Sequence, residues 1–314
     1  MKTSVFIQSK SIQVLCGKTR KSELTVTDWF SASLDDDVVV NGVIVNEASV
    51  RNSLSLIKSK LGNEIKEINL IIDSNSVFAK QLVTPILPHK KLIKLVESEF
   101  SDIENRSELL YDYMVLKSKA ANGTSGVILA SAVEKSFIES YINLFESIDI
   151  KIRSIDLALA SVIRFSKTEV IRGKTCIVAI LDGNTLNVSL FIDGVFRINN
   201  HTRLFQERGT LASASEITQL ISSLIQFNQA EKTGREIQHV YFGGLESNEL
   251  RTTQSENNNS ELATVSLCER INASLGIHAC EFPGCGEIKI DSSGKRRPFP
   301  LADYICSCGN LLGR

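Results

Sequence analysis

Three short turns of this chain combine glycine, hydroxyl and charged residues in ways suited to phosphate chemistry. They are Ser9-Lys10-Ser11, Asp182-Gly183-Asn184-Thr185 and Gly243-Gly244. Glycine lets a backbone approach a phosphate without a Cβ clash, and successive N–H groups can cradle its oxygens. Each turn also has an ordinary interpretation, as an exposed β-turn, a β-hairpin turn and a helix-entry turn. From the residues alone, both interpretations stay open for all three.

A second set of reactive side chains lies late in the chain and invites comparison with a zinc site. Its members are His278, Cys280, Cys285, Cys306 and Cys308. The C-x4-C and C-x-C spacings match paired zinc knuckles poorly, so small buried cysteines are the better interpretation and no metal ligands are assigned. Seven cysteines, an odd number spread along the chain, do not form a recognisable disulfide framework. The four histidines lack acid or serine partners at catalytic spacing, so no catalytic residue is assigned either.

Composition limits the class of protein. The 314 residues can form more than one core, because single cores stop growing near ~250 residues. The net charge of −1 gives no electrostatic reason to expect nucleic acid or anionic lipid as the main partner. No apolar run approaches the roughly 20 residues of a spanning helix, and the polar N-terminus does not resemble an export signal. The sequence therefore predicts a cytoplasmic protein.

The elements that position the three turns follow from hydrophobic periodicity. Residues 174–198 predict three strands joined by the Asp182-Gly183 turn and an Asp193-Gly194 hairpin. Short strands at 4–6 and 11–16 flank the first turn, and a strand at 238–242 precedes Gly243-Gly244. Amphipathic spacing predicts the following helices: 48–61, 90–100, 132–148, 214–230, 263–275 and 301–312. A polar, flexible insertion is expected at 252–260.

Six segments in order resemble the PilM family of type IV pilus assembly proteins, relatives of FtsA in the actin-like superfamily. They run from the NGVIVN segment to the Asp156-Leu157-Ala158 triplet, with the helix and strand of 134–155 as the longest match. Residues 77–88 and Tyr111-Asp112-Tyr113 resemble two further family strands. No segment is diagnostic alone, but their order along nearly the whole chain is hard to obtain by chance.

The resemblance implies an α/β, two-lobed actin-like (RNase H-like) fold with an inserted small α/β subdomain. Residues 1–35 and 152–172 are expected in the first lobe and 36–151 in the inserted subdomain. The second lobe would span 173–292, and residues 293–314 would form a C-terminal helix packing across the lobes. One long helix occupies most of the stretch before Gly243-Gly244, so the second lobe is expected to be reduced.

The resemblance also implies that the three turns face a nucleotide, with ATP and Mg²⁺ as the implied ligands. Two departures from the family pattern weaken this. Phe6 stands where the family has the metal-side Asp of the first loop, and Gln8 stands where it has a glycine. In the second loop, Asp182 either replaces the metal Asp or follows it, with Ile180 in that place. The loops are therefore expected to be degenerate, with nucleotide binding more plausible than hydrolysis.

Family resemblance suggests a binding role. In the family, the cytoplasmic tail of an inner-membrane PilN protein docks on the inserted subdomain, and the complex is coupled to the pilus assembly ATPase. The chain is expected to contact the membrane only through that partner, at the inner face of the cell membrane. GspL proteins of type II secretion use the fold similarly.

Two other classes of function fit the sequence less well. An active actin-like ATPase or kinase would need a carboxylate on the first strand, where Phe6 stands. An FtsA-like division protein would end in a basic amphipathic membrane helix, whereas Leu301–Arg314 has one basic residue and small side chains. The C-terminal segment is therefore predicted to pack in a core.

Overall fold

A computed structural model describes most of the chain, and its described part divides into two compact units. The described residues are 1–61, 65–103, 108–118, 125–232, 234–250, 252–253, 264–291 and 298–313. Unit 1 comprises Met1–Lys2, Leu15–Trp29 and Ser161–Arg314, and unit 2 comprises Thr3–Val14 and Phe30–Ala160. The chain passes between the units after Lys2, within the strands β2 (Ser11–Arg20) and β3 (Glu23–Ser33), and after Ala160. The lobe boundaries expected from the sequence stay predictions.

Unit 2 contains a parallel arrangement of three strands. Strand β6 (Glu67–Ile72) pairs with β1 (Lys2–Ile7) on one side and with β10 (Lys151–Leu157) on the other. Residues of β1 and β6 such as Phe6 and Leu70 are almost fully buried, as the near-continuous apolar runs of parallel strands require. Strand β10 ends the sheet on its side, because its outer edge pairs with no described strand.

A hairpin and three helices complete this part of unit 2. Strands β4 (Val39–Val40) and β5 (Val43–Ile44) flank Asn41-Gly42, whose positive φ angles of 50° and 74° form the two-residue hairpin turn that the Asn-Gly dipeptide favours. The helices are α1 (Glu47–Lys60), α3 (Lys135–Glu146) and the first residues of α4 (Ala158–Phe165), which continues into unit 1 from Ser161. The Asn46 side chain caps α1 by accepting a hydrogen bond from the Ser49 N–H.

A second sheet in unit 2 is antiparallel, in the order β7-β9-β8. Its strands are β7 (Val77–Pro85), β8 (Leu109–Lys117) and β9 (Ser125–Glu134). Helix α2 (His89–Glu99) packs on one face of the sheet through Leu92 and Val96. The helix predicted from residue 132 was placed too early: β9 pairs with both neighbours through Val133, so α3 begins only at Lys135.

Unit 1 is built on a five-stranded mixed sheet in the order β13-β12-β11-β14-β17. Its strands are β11 (Cys176–Asp182), β12 (Thr185–Ile192), β13 (Val195–Arg203), β14 (His239–Gly243) and β17 (His278–Glu281). The predicted three-strand unit at 174–198 is confirmed, and Asp193-Gly194 forms its second hairpin with φ angles of 51° and 75°. Two helices, α5 (Leu211–Ala230) and α6 (Leu267–Leu275), pack on the apolar face of the sheet.

The remaining elements of unit 1 are short. Strands β15 (Thr252–Thr253) and β16 (Thr264–Val265) pair with each other, and β18 (Ile288–Ile290) pairs with β3. Residues 254–260 of the predicted polar insertion lie outside the described residues. Helix α6 begins at a Ser266–Glu269 capping box, later than the predicted start at 263.

The C-terminal segment packs in a core, as predicted. A 3₁₀ turn at Leu301–Asp303 precedes α7 (Ile305–Leu312), so the predicted helix from 301 starts four residues later as an α-helix. Every residue from 305 to 311 is buried. A Cβ added at Gly309 would lie 2.0 Å from the Ser161 carbonyl oxygen, so only glycine allows this close approach to α4.

Candidate functional site

The turn Asp182-Gly183-Asn184-Thr185 closes the hairpin between β11 and β12. Asp182 and Thr185 are cross-strand partners, and Gly183 has a φ of 51° that favours glycine. The carbonyl oxygen of Asn184 accepts a 2.7 Å hydrogen bond from the Leu204 N–H, which fixes the chain leaving β13 beside this turn. The hairpin-turn interpretation of these residues is confirmed, and a phosphate contact stays a prediction.

Gly243-Gly244 lies beside that turn because β14 runs parallel to β11, with Gly243 opposite Ile180. Gly244 has a φ of 72°, and a Cβ there would lie 2.1 Å from the Leu181 carbonyl oxygen. A Cβ on Gly243 would lie 2.6 Å from the Ala302 carbonyl oxygen. Both glycines therefore have a packing reason that needs no ligand.

Arg208 joins the two turns, and sequence reasoning missed it. Its Nη1 donates to the carbonyl oxygen of Gly183 at 3.0 Å, and its Nη2 donates to that of Gly244 at 2.8 Å. Its Nε donates to Glu249 Oε1 at 2.9 Å, and Nη2 also contacts the second Glu249 oxygen. The side chains of Arg208 and Glu249 are only 6% and 3% exposed.

The contacts of Arg208 also show whether its side chain could bind a phosphate at these turns. Glu246 lies 3.3 Å from Nη1, so both amino groups and Nε of the guanidinium already face acceptors of the protein itself. An arginine so engaged has no donor directed at a ligand, and it brings the two turns together by its own bonds. Arg208 therefore links the two turns through its hydrogen bonds. A phosphate bound at these turns would depend on their backbone N–H groups.

The sequence contains only a weak indication that Arg208 is buried between the two turns. The sequence places it in a polar loop after β13, 41 residues before Glu249, and no spacing rule links the two. Gly209 follows with a φ of 78°, and a Cβ there would lie 2.2 Å from the Asn248 side chain. A glycine beside an arginine in a polar loop is the only hint that the loop packs closely.

Ser9-Lys10-Ser11 belongs to unit 2, whereas the other two turns belong to unit 1. The Gln8 N–H donates to the Ser11 carbonyl oxygen at 2.8 Å, and the Ser11 hydroxyl donates to the Gln8 side chain at 2.9 Å. Lys10 forms an ion pair with Asp36, and both side chains are exposed. The β-turn interpretation is confirmed, and the predicted phosphate role stays untested. Phe6 is 2% exposed in the core.

The late cysteines and His278 do not bring three ligand atoms within 4.8 Å of one another. Among the described residues, the group with ligand-like geometry is Glu169, Cys285 and Glu287. Its atoms are engaged: the Cys285 thiol donates to Glu287 at 3.1 Å, and the Gly286 N–H donates to Glu169 at 2.6 Å. Burial, together with the hydrogen bond to Glu287, raises the pKa of Cys285 to about 11, which opposes the thiolate form that metals bind.

Unit 2 carries a groove of about 740 Å³ beside the edge strand β10. Its lining consists of Lys66, Ile142, Glu146, Asp149, Ile150, Lys151, Ile152, Arg153, Ser154 and Ile155. Apolar and charged side chains of both signs therefore border one open strand edge. Sequence reasoning placed the partner-binding surface within 36–151, whereas β10 runs from Lys151 to Leu157 and so lies almost entirely in the stretch expected in the first lobe.

None of the helices in the described part of the chain is long and apolar enough to span a membrane.

Comparison with solved structures places the chain among actin-like folds. A structure of a PilM–PilN type IV pilus biogenesis complex matches with a TM-score of 0.77 and 10% identity, covering 99% of this chain and 97% of that chain. A Bacteroides thetaiotaomicron protein of unknown function with an actin-like ATPase fold matches with a TM-score of 0.52 and 13% identity, covering 99% of this chain and 95% of that chain. The cytoplasmic domain of Vibrio cholerae EpsL, an inner-membrane component of the type II secretion system, matches with a TM-score of 0.50 and 10% identity, covering 99% of this chain and 95% of that chain.

These likenesses confirm the predicted actin-like α/β fold. No curated protein sequence matches the chain. Residues 4–239, three quarters of its length, match the family described as type IV pilus assembly protein PilM. The chain therefore belongs to the PilM family of type IV pilus assembly proteins, as its segment order indicated.

Proposed function

We propose that this protein is a scaffold of type IV pilus assembly that docks the cytoplasmic tail of an inner-membrane, PilN-like protein in the groove beside β10. The observation that carries the proposal is the open edge of β10 next to that groove. The solved PilM–PilN complex has the same fold, which supports a partner of this kind. In this role the protein sits at the inner face of the cell membrane and connects its partner to the assembly ATPase.

The backbone of β10 suits an extended peptide. Its inner edge pairs with β6 from Lys151 opposite Glu67 to Leu157 opposite Ile72, interrupted by an irregularity at Arg153. The N–H and C=O groups on the outer edge are directed away from β6. An extended tail added there gains main-chain hydrogen bonds, as in β-strand addition.

The side chains of the groove give specificity to this addition. Ile142, Ile152 and Ile155 are half-buried, so a tail with apolar residues removes them further from water. Lys66 and Lys151 are exposed beside the exposed acids Glu146 and Asp149. Charges of both signs along one groove favour a single register, because a shifted peptide places like charges together.

The role is one of binding rather than catalysis. A buried phenylalanine, Phe6, stands at the first-strand position where the family has a metal-binding Asp. The turns of unit 1 are tied together by Arg208, and Asp182 is the carboxylate within them. A nucleotide, where bound, would lie against the backbone of Gly183 and Gly244, and Mg²⁺ would rely on Asp182. These residues fit hydrolysis poorly.

Peptide binding tests the docking step. A fluorescent peptide with the cytoplasmic tail sequence of the inner-membrane protein encoded beside this gene is titrated with full-length protein, followed by anisotropy. Ile155→Arg places a charge in the groove and weakens binding by at least about tenfold. Ile290→Arg, a matched change at a 44% exposed isoleucine of unit 1, leaves binding unchanged. Absence of binding by the unaltered protein, or equal binding by Ile155→Arg, would refute docking at β10.

Calorimetry tests the nucleotide step separately. Titration of ATP with and without Mg²⁺ is expected to show weak binding that Mg²⁺ does not strengthen, and no phosphate release above background. Tight Mg²⁺-dependent binding with turnover would instead establish an active ATPase.

A further inference from the structure

Helix α2 carries its charges in the order opposite to that favoured by its dipole. Lys90, Lys91 and Lys94 lie in its first half, and Glu97 and Glu99 lie in its last turn. The N-terminus of a helix is electropositive, so lysines there and glutamates at the other end are both unfavourable. Pro88, at the N-cap, supplies no side-chain hydrogen bond. Such an arrangement costs stability and calls for a functional reason.

The lysines of α2 follow directly on a strand end of the antiparallel sheet of unit 2 that carries exposed apolar side chains. Val83 and Lys117 are the two cross-strand partners of Val127, so the ends of β7 and β8 lie at this end of the sheet. Helix α2 begins at His89, four residues after β7 ends at Pro85, so its first turn also lies near this end of the sheet. We call this end of the sheet the basic tip; its members are Val83, Ile86, Lys90, Lys91, Lys94, Val115 and Lys117.

The basic tip is strongly positive although the whole chain is nearly neutral. Residues 83–96, 113–118 and 125–130 contain four lysines and no Asp or Glu. All four lysines are exposed. The same segments carry three apolar side chains with large exposed fractions: 72% for Val83, 55% for Ile86 and 52% for Val115. A local excess of positive charge with exposed apolar side chains marks an interaction surface.

We propose that the basic tip contacts an anionic phospholipid bilayer directly, which goes beyond docking through a membrane protein. Lysines near an anionic leaflet are attracted to its surface potential, and exposed aliphatic side chains insert between headgroups. The same three segments contain no arginine. Lysine is a point charge suited to a diffuse negative surface, whereas recognition of individual carboxylates in an acidic protein favours the bidentate arginine fork. The charge and the exposed aliphatic groups together therefore favour a bilayer.

Vesicle sedimentation with the full-length protein alone tests the proposal. The protein is expected to sediment with phosphatidylglycerol-containing vesicles at low salt and to dissociate from them at high salt. It is expected not to sediment with pure phosphatidylcholine vesicles. Lys90→Glu combined with Lys91→Glu is expected to lower the partition coefficient by at least about 30-fold. Ile86→Ser is expected to lower it by about fivefold. The matched control, Lys18→Glu with Arg20→Glu on exposed positions of unit 1, leaves it unchanged.

Three results would overturn the proposal. The first is no phosphatidylglycerol-dependent sedimentation. The second is an equal loss in the Lys18→Glu and Arg20→Glu control, which shows a response to overall charge. The third is sedimentation of the Lys90→Glu and Lys91→Glu variant equal to that of the unaltered protein, which places any lipid contact elsewhere on the protein. All substituted side chains are exposed, so thermal unfolding midpoints matching the unaltered protein establish that each variant is folded.

Discussion

Arg208 and Glu249 form a buried ion pair in which Nε lies 2.9 Å from Oε1. Removing two charges from water is costly, and the cost is offset only when the remaining donors and acceptors are also satisfied. Here the guanidinium also binds the carbonyl oxygens of Gly183 and Gly244, and the Glu249 carboxylate accepts the Glu246 N–H at 2.8 Å. The pair thus connects two turns and a loop that the chain brings from separate elements.

Breaking this pair from one side is predicted to be strongly destabilising. Arg208→Ala leaves the Glu249 carboxylate buried without its partner and is expected to lower the free energy of unfolding by about 3–5 kcal/mol. The combined Arg208→Met and Glu249→Leu variant removes both charges and is expected to recover most of that loss. Urea denaturation of Arg208→Met, Glu249→Leu and the double variant measures the coupling.

An exposed pair serves as the control for this prediction. Arg235 and Asp193 lie 3.0 Å apart with side chains 59% and 51% exposed, so Arg235→Ala is expected to cost less than about 1 kcal/mol. Equal losses in Arg208→Ala and Arg235→Ala would show that the buried pair does not hold the turns together.

Gly244→Ala is predicted to destabilise unit 1 for a reason unrelated to any ligand. The added Cβ would lie 2.1 Å from the Leu181 carbonyl oxygen, at a φ of 72°. The expected loss is about 2–4 kcal/mol, since backbone clash adds to conformational strain. Gly284→Ala is the matched control, because a Cβ there meets nothing within 4 Å. Thermal unfolding of both variants compares them, and a neutral Gly244→Ala would remove the packing explanation.

Much of the fold was predictable because its signals are local. Asn41-Gly42 and Asp193-Gly194 each require two positive φ angles, and these dipeptides are the ones that adopt them readily. Apolar periodicity placed α1 and α5 within a few residues of their observed bounds. The start of α3 was misjudged because residues 132–134 carry apolar side chains compatible with either a strand or a helix, and pairing with two neighbouring strands decides between them.

The candidate site was only partly predictable because its decisive contacts are not local. The turns at Gly183 and Gly244 were found from their residue types. Arg208 and Glu249 were not, since charged residues of a polar loop are ordinarily exposed and only the tertiary fold buries them. The edge position of β10 likewise depends on the order of strands in the sheet.

Tyr141→Phe is predicted to loosen the hairpin of unit 2. Tyr141 on α3 is fully buried, and its hydroxyl donates to the carbonyl oxygen of Gly42. Burial, with Asp73 nearby, raises the pKa of Tyr141, so the hydroxyl keeps its proton. Removing it leaves a buried carbonyl without this partner, at a cost of about 1–3 kcal/mol. Tyr113→Phe, whose hydroxyl bonds His89 at the surface, is the control and should cost less than about 1 kcal/mol in urea denaturation. Equal costs would contradict the prediction.

His239 is predicted to titrate with a pKa below the ordinary value for histidine and to make unit 1 sensitive to acid. Burial lowers the pKa of His239, and the nearby Lys174 and His278 lower it further. Its ring stacks on Tyr241 at 5.4 Å, and Lys174 donates to the Tyr241 hydroxyl at 3.2 Å. NMR titration of the four histidines measures the pKa directly, and Lys174→Met is expected to raise it.

The lowered pKa of His239 determines whether the protein gains or loses stability as the pH falls. Because the pKa of His239 is lower in the folded protein than the unfolded value of 6.5, the unfolded state binds the extra proton first as the pH falls. Stability is therefore retained above about pH 6.5 and declines below it. His239→Gln removes the titrating group and should show a smaller fall in unfolding midpoint between about pH 7.5 and 5.5. His89→Gln, at an exposed position of unit 2, should show the same fall in unfolding midpoint as the unaltered protein. An unchanged pH dependence in His239→Gln would show that other groups govern the acid sensitivity.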